Sequence, residues 1–283
     1  MFLLFNFRRS LGICEGVRSL MIYEETNYSA GINYLTNTFI REYDISKANI
    51  NVLYSKGLLD KKTYDYLYNA ERMVRQVYIG KLRKSDKKYT DALEEGIREA
   101  REMLFKSNNI QDYEVLSIKN DAVYIIGRPL VNTEFGLIKF ANKNTYTSFM
   151  TFMNMELYYY FNSMTNEERI DIKGINDDKV KLHEGYFLQF IKDVFYLVQV
   201  TNIENVIDMV KDYYIDYITF KLPVWHYRKF SVDSNFHYKS SPFMNTGFDA
   251  ITVDECNKQN LDITWNLEII KNIQKILVSI AMQ

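Results

Sequence analysis

Cysteine, histidine and proline are scarce in this chain of 283 residues: it has two cysteines, three histidines and three prolines. Cys14 and Cys256 form neither a disulfide framework nor the paired spacing of a structural zinc site, which suits a reducing, cytoplasmic setting. His183, His226 and His237 lack metal-ligand spacing. His183-Glu184 also lacks the second histidine four residues after the first that a metalloprotease helix needs. The eleven glycines are scattered, so neither a phosphate-cradling Walker loop nor a dinucleotide-binding glycine pattern occurs, and no serine-nucleophile elbow is present.

Long apolar runs are missing too. None approaches the ~18 residues of a membrane span, so no membrane partner is expected. Met1-Phe2-Leu3-Leu4-Phe5 stops at Arg8-Arg9, too short for a secretory core and in the wrong order relative to its charges. Residues 1–20 fit the rest poorly, and Met21 makes a more natural beginning, so they read as a leader or a mis-assigned start. With Lys+Arg 35 against Asp+Glu 36, the net charge is −1. A whole-chain basic footprint is excluded, and any contact with nucleic acid has to be local.

What is present is globular: 47% hydrophobic and 25% charged residues, enough for one large or two modest domains. Tyr (23) and Phe (18) are abundant beside Asn and Lys, a balance that AT-rich coding produces and that inflates every aromatic cluster.

The periodicities indicate an α+β fold. An antiparallel sheet with packed helices is expected over residues 21–130, followed by a mixed, helix-rich half over 131–283. Asp44-Ile45-Ser46-Lys47-Ala48-Asn49-Ile50-Asn51-Val52-Leu53 reads as a strand turning into a helix, with Ser46 the expected N-cap. Lys61 to Leu82 has apolar residues near helical spacing, including Tyr64, Leu67, Tyr68, Met73, Val77 and Ile79, and predicts one helix ending near Gly80. KLRKSDKK, from Lys81 to Lys88, reads as a basic link. Tyr89 to Lys106 predicts an amphipathic helix burying Leu93, Ile97, Ala100 and Leu104.

Glu114 to Ile126 predicts a hairpin turning at Lys119-Asn120, with Asp121 at or just past its tip. Leu137 to Phe161 alternates as strands do, and the polar stretch Thr165 to Lys181 reads as punctuation. Helical patterns resume at Glu184–Val200, Ile203–Tyr214 and around Trp265–Met282, with an aromatic loop from Pro223 to Thr246 before the last of them.

The order strand-Asp, basic helix, amphipathic helix, hairpin-Asp is the one feature that reads as chemistry. In polymerase-type phosphoryl transfer, two carboxylates on adjacent strands hold two divalent ions about 3.5–4 Å apart. These ions align the attacking hydroxyl and the leaving group, and the protein supplies position and charge. Trp225, His226, Tyr227, Arg228, Lys229 and Phe230 interleave cations and rings, an arrangement that stacks bases and tracks phosphates on a single strand.

These residues resemble the palm domain of template-directed nucleic-acid polymerases, of the bacterial and phage family A and B kind. Asp44 to Leu53 looks like motif A, and Ile118-Lys119-Asn120-Asp121-Ala122-Val123-Tyr124 looks like motif C. Arg72, Arg75, Tyr78, Gly80 and Lys81 sit where motif B places its basic helix and Tyr-Gly pair. The resemblance covers about a third of the chain.

It implies catalytic and metal-binding roles for Asp44 and Asp121 with Mg2+ or Mn2+, and phosphate contacts from Arg72, Arg75, Tyr78, Gly80 and Lys81. It further implies a nucleic-acid or nucleotide partner, and nucleotidyl transfer in a protein of phage or mobile-element type. Trp225, Tyr227, Arg228 and Lys229 are the additional nucleic-acid contacts. Motif C here lacks its usual second acid, since Asn120 and Ala122 flank Asp121, and the distance between motifs A and C is compressed. A lone Asp at a strand end also serves as a cap or turn residue. The alternative is a non-catalytic structural or interaction protein of a phage, with a protein partner or a second copy of itself.

Overall fold

The structure is a computed structural model and describes residues 22–152, 155–173, 186–227 and 263–282. The proposed leader, both cysteines, His183, His237, Arg228 and Lys229 lie outside the described residues. Ten strands and seven α-helices are present among the described residues, so the fold is α+β, with two antiparallel sheets.

The strands are β1 (Asn27–Ser29), β2 (Tyr34–Leu35), β3 (Ile40–Ile45), β4 (Val115–Lys119), β5 (Ala122–Ile126), β6 (Glu134–Phe135), β7 (Ile138–Tyr146), β8 (Ser148–Phe152), β9 (Met155–Asn162) and β10 (Glu167–Lys173). The helices are α1 (Ala48–Ser55), α2 (Lys61–Asn69), α3 (Arg72–Ser85), α4 (Lys87–Asn108), α5 (Phe187–Val200), α6 (Ile203–Ile218) and α7 (Ile263–Ala281). The six-stranded sheet has the order β1-β4-β5-β3-β7-β6 and the four-stranded sheet the order β10-β9-β8-β2.

The chain divides into two compact units. One takes in the described residues up to Tyr28 together with Asp44–Val123 and Leu130–Ala141. The other takes in Ser29–Tyr43, Tyr124–Pro129 and the described residues from Asn142 onward.

The first unit is organised on α4, whose buried residues Leu93, Gly96, Ala100 and Leu104 recur at helical spacing. Ile97, expected in that stripe, is half-buried. α4 lies against α1, and the two approach so closely at Gly96 that a Cβ there would clash with Val52 Cγ1. Asn108 secures the far end of α4: its Oδ1 accepts the Val131 and Asn132 N–H groups at 3.0 and 2.9 Å.

α1 starts at Lys47, which has left-handed backbone (φ 51°) and no side-chain capping bond, so the cap expected at Ser46 is absent. The predicted hairpin is β4–β5, and Asn120 at its turn takes φ 55°, a conformation Asn tolerates better than most residues.

The helix predicted over Lys61 to Leu82 is interrupted. Asp60 caps α2 by accepting the Thr63 N–H at 2.9 Å, and Ala70 and Glu71 are both extended, so α3 starts afresh at Arg72. Tyr64 stays in the packing and stacks on Tyr54 with centroids 4.2 Å apart.

In the second unit β8, β9 and β10 form an antiparallel meander, with Tyr159 opposite both Ser148 and Ile170. Period-2 alternation sends Met155, Leu157 and Tyr159 of β9 and Ile170 and Ile172 of β10 into one core with α5, α6 and α7. Phe187, Ile191, Val194, Phe195, Val210 and Ile273 meet them from the helices. Each such buried side chain contributes roughly 1.5–3 kcal/mol. The stretch read as polar punctuation therefore contains β10, whose apolar alternation is only two residues long.

His226 lies in the 3-10 turn Val224–Tyr227, with Nδ1 at 2.9 Å from the Tyr213 hydroxyl. Burial lowers its pKa to about 4.

Two outcomes are expected. Gly96→Ala lowers stability by about 1–3 kcal/mol in chemical denaturation, because the methyl has to displace Val52. Stability also falls on acidification. His226 takes up a proton in the unfolded chain near pH 6.5 but in the folded chain only near pH 4. That difference costs on the order of 2–3 kcal/mol across the interval, read as the pH dependence of the denaturation midpoint. A His226→Phe variant flattens the dependence between pH 6.5 and 4.

Candidate nucleic-acid interface

Helix α3 is set by backbone breaks at both ends. At its start the Arg75 guanidinium donates through Nη1 to the Ala70 carbonyl, satisfying an acceptor left over at the end of α2. At its end Asp86 turns extended (φ −155°), and its carboxylate caps α4 by accepting the Lys88 N–H at 2.9 Å. KLRKSDKK is accordingly no link. Lys81 to Ser85 complete α3, Asp86 is the break, and Lys87 and Lys88 open α4.

Of the fourteen residues of α3, Ile79 alone is buried, with Arg75, Tyr78 and Leu82 half-buried on the same side and Gly80 half-buried away from it. Helical spacing sorts the others on the outer side. Met73, Val77, Gly80 and Lys84 form a central stripe, flanked by Gln76 and Arg83 on one side and by Val74 and Lys81 on the other, while Arg72, exposed at the helix start, falls on the line of Ile79. Met73 is 74% and Val77 54% exposed, unusual for apolar residues on a helix of a folded unit.

Residues 72–88 hold seven basic side chains and one acid, Asp86, which pairs with Lys88 at 3.3 Å. Among the described residues, Arg72, Lys81 and Lys84 have no acidic partner. Arg83 reaches only the Thr90 hydroxyl, at 3.4 Å. At the end of α2, Lys47 Nζ sits 3.4 Å from the Tyr68 ring centroid and donates to the Tyr68 carbonyl at 2.7 Å.

Five residues were expected to meet phosphate on this helix. Gly80 and Lys81 are on its outer side, and Arg72 is exposed at its start on the line of Ile79. Arg75 is spent on the Ala70 carbonyl, and Tyr78 faces inward. Gln76, Arg83 and Lys84 join the outer side. The signal for the two cations was visible in the basic run, but without the break at Asp86 the run could not be assigned to a helix.

Asp44 is half-buried in β3, and Asp121 is the turn residue before β5; those two strands are neighbours in the six-stranded sheet. Asp121 lies close enough to Arg101 to support its charge. Arg101 is 1% exposed; it donates through Nε to the Tyr23 carbonyl at 2.9 Å and through Nη1 to the Asn120 carbonyl. Burial lowers its pKa to about 10, against the opposing charge of Asp121. Among the described residues no group of three or more His, Cys, Asp and Glu side chains comes together as a possible metal centre. Trp225 and Tyr227 lie in the 3-10 turn, and Tyr227 is buried against Tyr217, its ring turned into the helical core.

Over residues 19–279 the sequence matches the family described as "Bacteriophage PBS1 gene 130 protein". The chain belongs to that phage protein family. No curated protein matches it, and no helix among its described residues is long and apolar enough to cross a membrane.

This phage-family protein also contains a polar cluster that sequence reasoning missed. Glu42 on β3 is 2% exposed, yet its carboxylate accepts four bonds. Tyr124 and Asn144 donate to it at 2.9 and 2.6 Å, Tyr146 at 3.0 Å, and Lys173 pairs with it at 3.3 Å. The Tyr146 hydroxyl also contacts Asp171. Tyr124 stacks on Tyr158 at 4.5 Å, and the Lys173 ammonium lies over both rings.

Burial opposes ionisation of Glu42, but the Lys173 charge and the three donors together hold its pKa below the usual carboxylate value. Burial and the Glu42 charge push the Tyr124 and Tyr146 hydroxyls well up, so both remain neutral donors. No signal in the local sequence marks Glu42, because its partners are 82 to 131 residues away.

Replacing Glu42 by Leu is expected to cost about 2–4 kcal/mol in chemical denaturation, since it leaves a half-buried ammonium and several buried donors without their acceptor. Glu42→Gln, which retains an acceptor, costs less.

Proposed function

We propose that this phage-family protein binds nucleic acid through the outer side of α3 and does so without catalysing nucleotidyl transfer. The observation that carries this reading is the segregation of charge. A chain with net charge −1 places five cations and no acid on residues 72–85, a helix that uses one buried side chain to hold itself in place. Cations that no carboxylate among the described residues neutralises suit a polyanion, and binding one releases its condensed counterions.

The hairpin supports the non-catalytic part of this reading. A two-ion site needs acidic side chains to converge, whereas Asn120 and Ala122 flank Asp121, whose charge supports the buried Arg101. The fully bonded Glu42 has its lone pairs committed to four donors, which leaves it poorly placed to act as a substitute ligand.

Fluorescence anisotropy with labelled DNA, titrated across salt concentrations, tests the proposal. Affinity is expected to fall steeply with salt and to be unchanged by EDTA. Substituting Arg72, Lys81 and Lys84 together by Ala is expected to lower the slope of log affinity against log salt by about 2–3, close to one contact per cation. Salt-independent binding, or equal slopes for the two proteins, would falsify it.

A further inference from the structure

Gly80 stands in the middle of α3, where a glycine costs about 1 kcal/mol relative to alanine. Nothing among the described residues requires it. Its φ is not in the left-handed range, and a Cβ built on it meets nothing within 4 Å. Gly96 on α4 makes the contrast, since there a Cβ collides with Val52. Gly96 is explained by its neighbour, whereas a Cβ at Gly80 has none among the described residues. A costly glycine on the outer side of a helix marks a place where something from outside the chain comes close to the backbone.

The surroundings of Gly80 indicate what that is. It interrupts the central stripe of Met73, Val77 and Lys84, and a cation stands on each flank: Arg83 on one, Lys81 on the other. A single strand presents one line of phosphates. A duplex groove presents two, with base edges between them. The major groove of B-form DNA is about 12 Å wide and admits an α-helix, and α3 extends over about 21 Å.

Resting on the nucleic-acid reading above, we infer that α3 enters the major groove of double-stranded DNA with Gly80 as its point of closest approach. Arg83 meets one backbone and Lys81 meets the other. Gln76, Met73 and Val77 face the base edges, where an amide pairs with adenine and apolar groups meet the thymine methyl.

The test uses the full chain with three probes of equal length: a 24-base-pair DNA duplex, its isolated single strand, and the RNA duplex of the same sequence. The DNA duplex is expected to bind at least tenfold more tightly than either of the others, because the major groove of A-form RNA is too deep and narrow for side chains to read. Gly80→Ala is expected to raise Tm by about 2–4 °C while weakening binding to the DNA duplex about tenfold or more. Gly80→Leu weakens it further.

A destabilised protein could lose binding for trivial reasons, whereas a stabilised one that loses binding has lost an approach. Equal affinity of wild type and Gly80→Ala for the DNA duplex overturns the groove assignment, as does tighter binding to the single strand or the RNA duplex. Both results leave the nucleic-acid reading intact provided the salt dependence remains. Loss of salt-dependent binding to all three probes, with capture by anionic lipid vesicles instead, overturns both.

Discussion

A carboxylate that is 2% exposed is tolerable only when every lone pair it carries is engaged, and Glu42 meets that condition with donors drawn from three other strands. β3 supplies the acid, β5 supplies Tyr124, β7 supplies Asn144 and Tyr146, and β10 supplies Lys173. Such a cluster has low tolerance for slippage. A one-residue shift of any participating strand turns its donor to the opposite face and leaves a buried charge partly unmatched. The cluster therefore fixes register where apolar contacts alone would accept several arrangements. It also explains the charged face of β10, where Asp171 and Lys173 alternate with the buried Ile170 and Ile172. One side of that strand answers the helical core and the other answers Glu42 and Tyr146.

The opposite economy governs α3. Here a helix exposes apolar side chains and leaves cations unneutralised, and one isoleucine holds it to its neighbours. Local rules are obeyed at its ends, where Arg75 and Asp86 satisfy backbone groups, and disregarded along its outer side. When a chain follows packing and propensity almost everywhere and departs from them on one surface, the departure is where an external partner would supply the missing interactions. The mid-helix glycine, the exposed methionine and valine, and Lys81 and Lys84 all fall on that one surface.

How much of this was legible in the sequence follows from the range of the interactions involved. The β4–β5 hairpin and α4 were readable because turn chemistry at Asn120 and an apolar stripe from Leu93 to Leu104 are local signals. The break between α2 and α3 was not, since Tyr64, Leu67, Tyr68 and Met73 keep near-helical spacing across Ala70 and Glu71, and only backbone geometry interrupts them. The single extended residue Asp86 has the same effect at the other end: a run of charges reads as a link until its cap is seen. The Glu42 cluster was invisible because each of its contacts spans more than eighty residues, and a buried Glu in IREYDI has the same spelling as a solvated one.

The same limit of range explains why the aspartates drew attention ahead of Glu42. Asp44 and Asp121 stand out in sequence because they interrupt apolar runs, and order along the chain carries the resemblance to a palm. Chemistry depends instead on what each carboxylate faces. Asp121 lies beside a guanidinium that is itself buried and already donating to two carbonyls, so its charge offsets the cost of desolvating Arg101. An acid committed to a fixed cation is a weak ligand for a divalent ion, because binding the metal would return Arg101 to an uncompensated state. The hairpin aspartate thus has a role in the folding of its own unit, while Arg72, Lys81 and Lys84 of α3 have no acidic partner among the described residues, which is the feature the proposed binding would use.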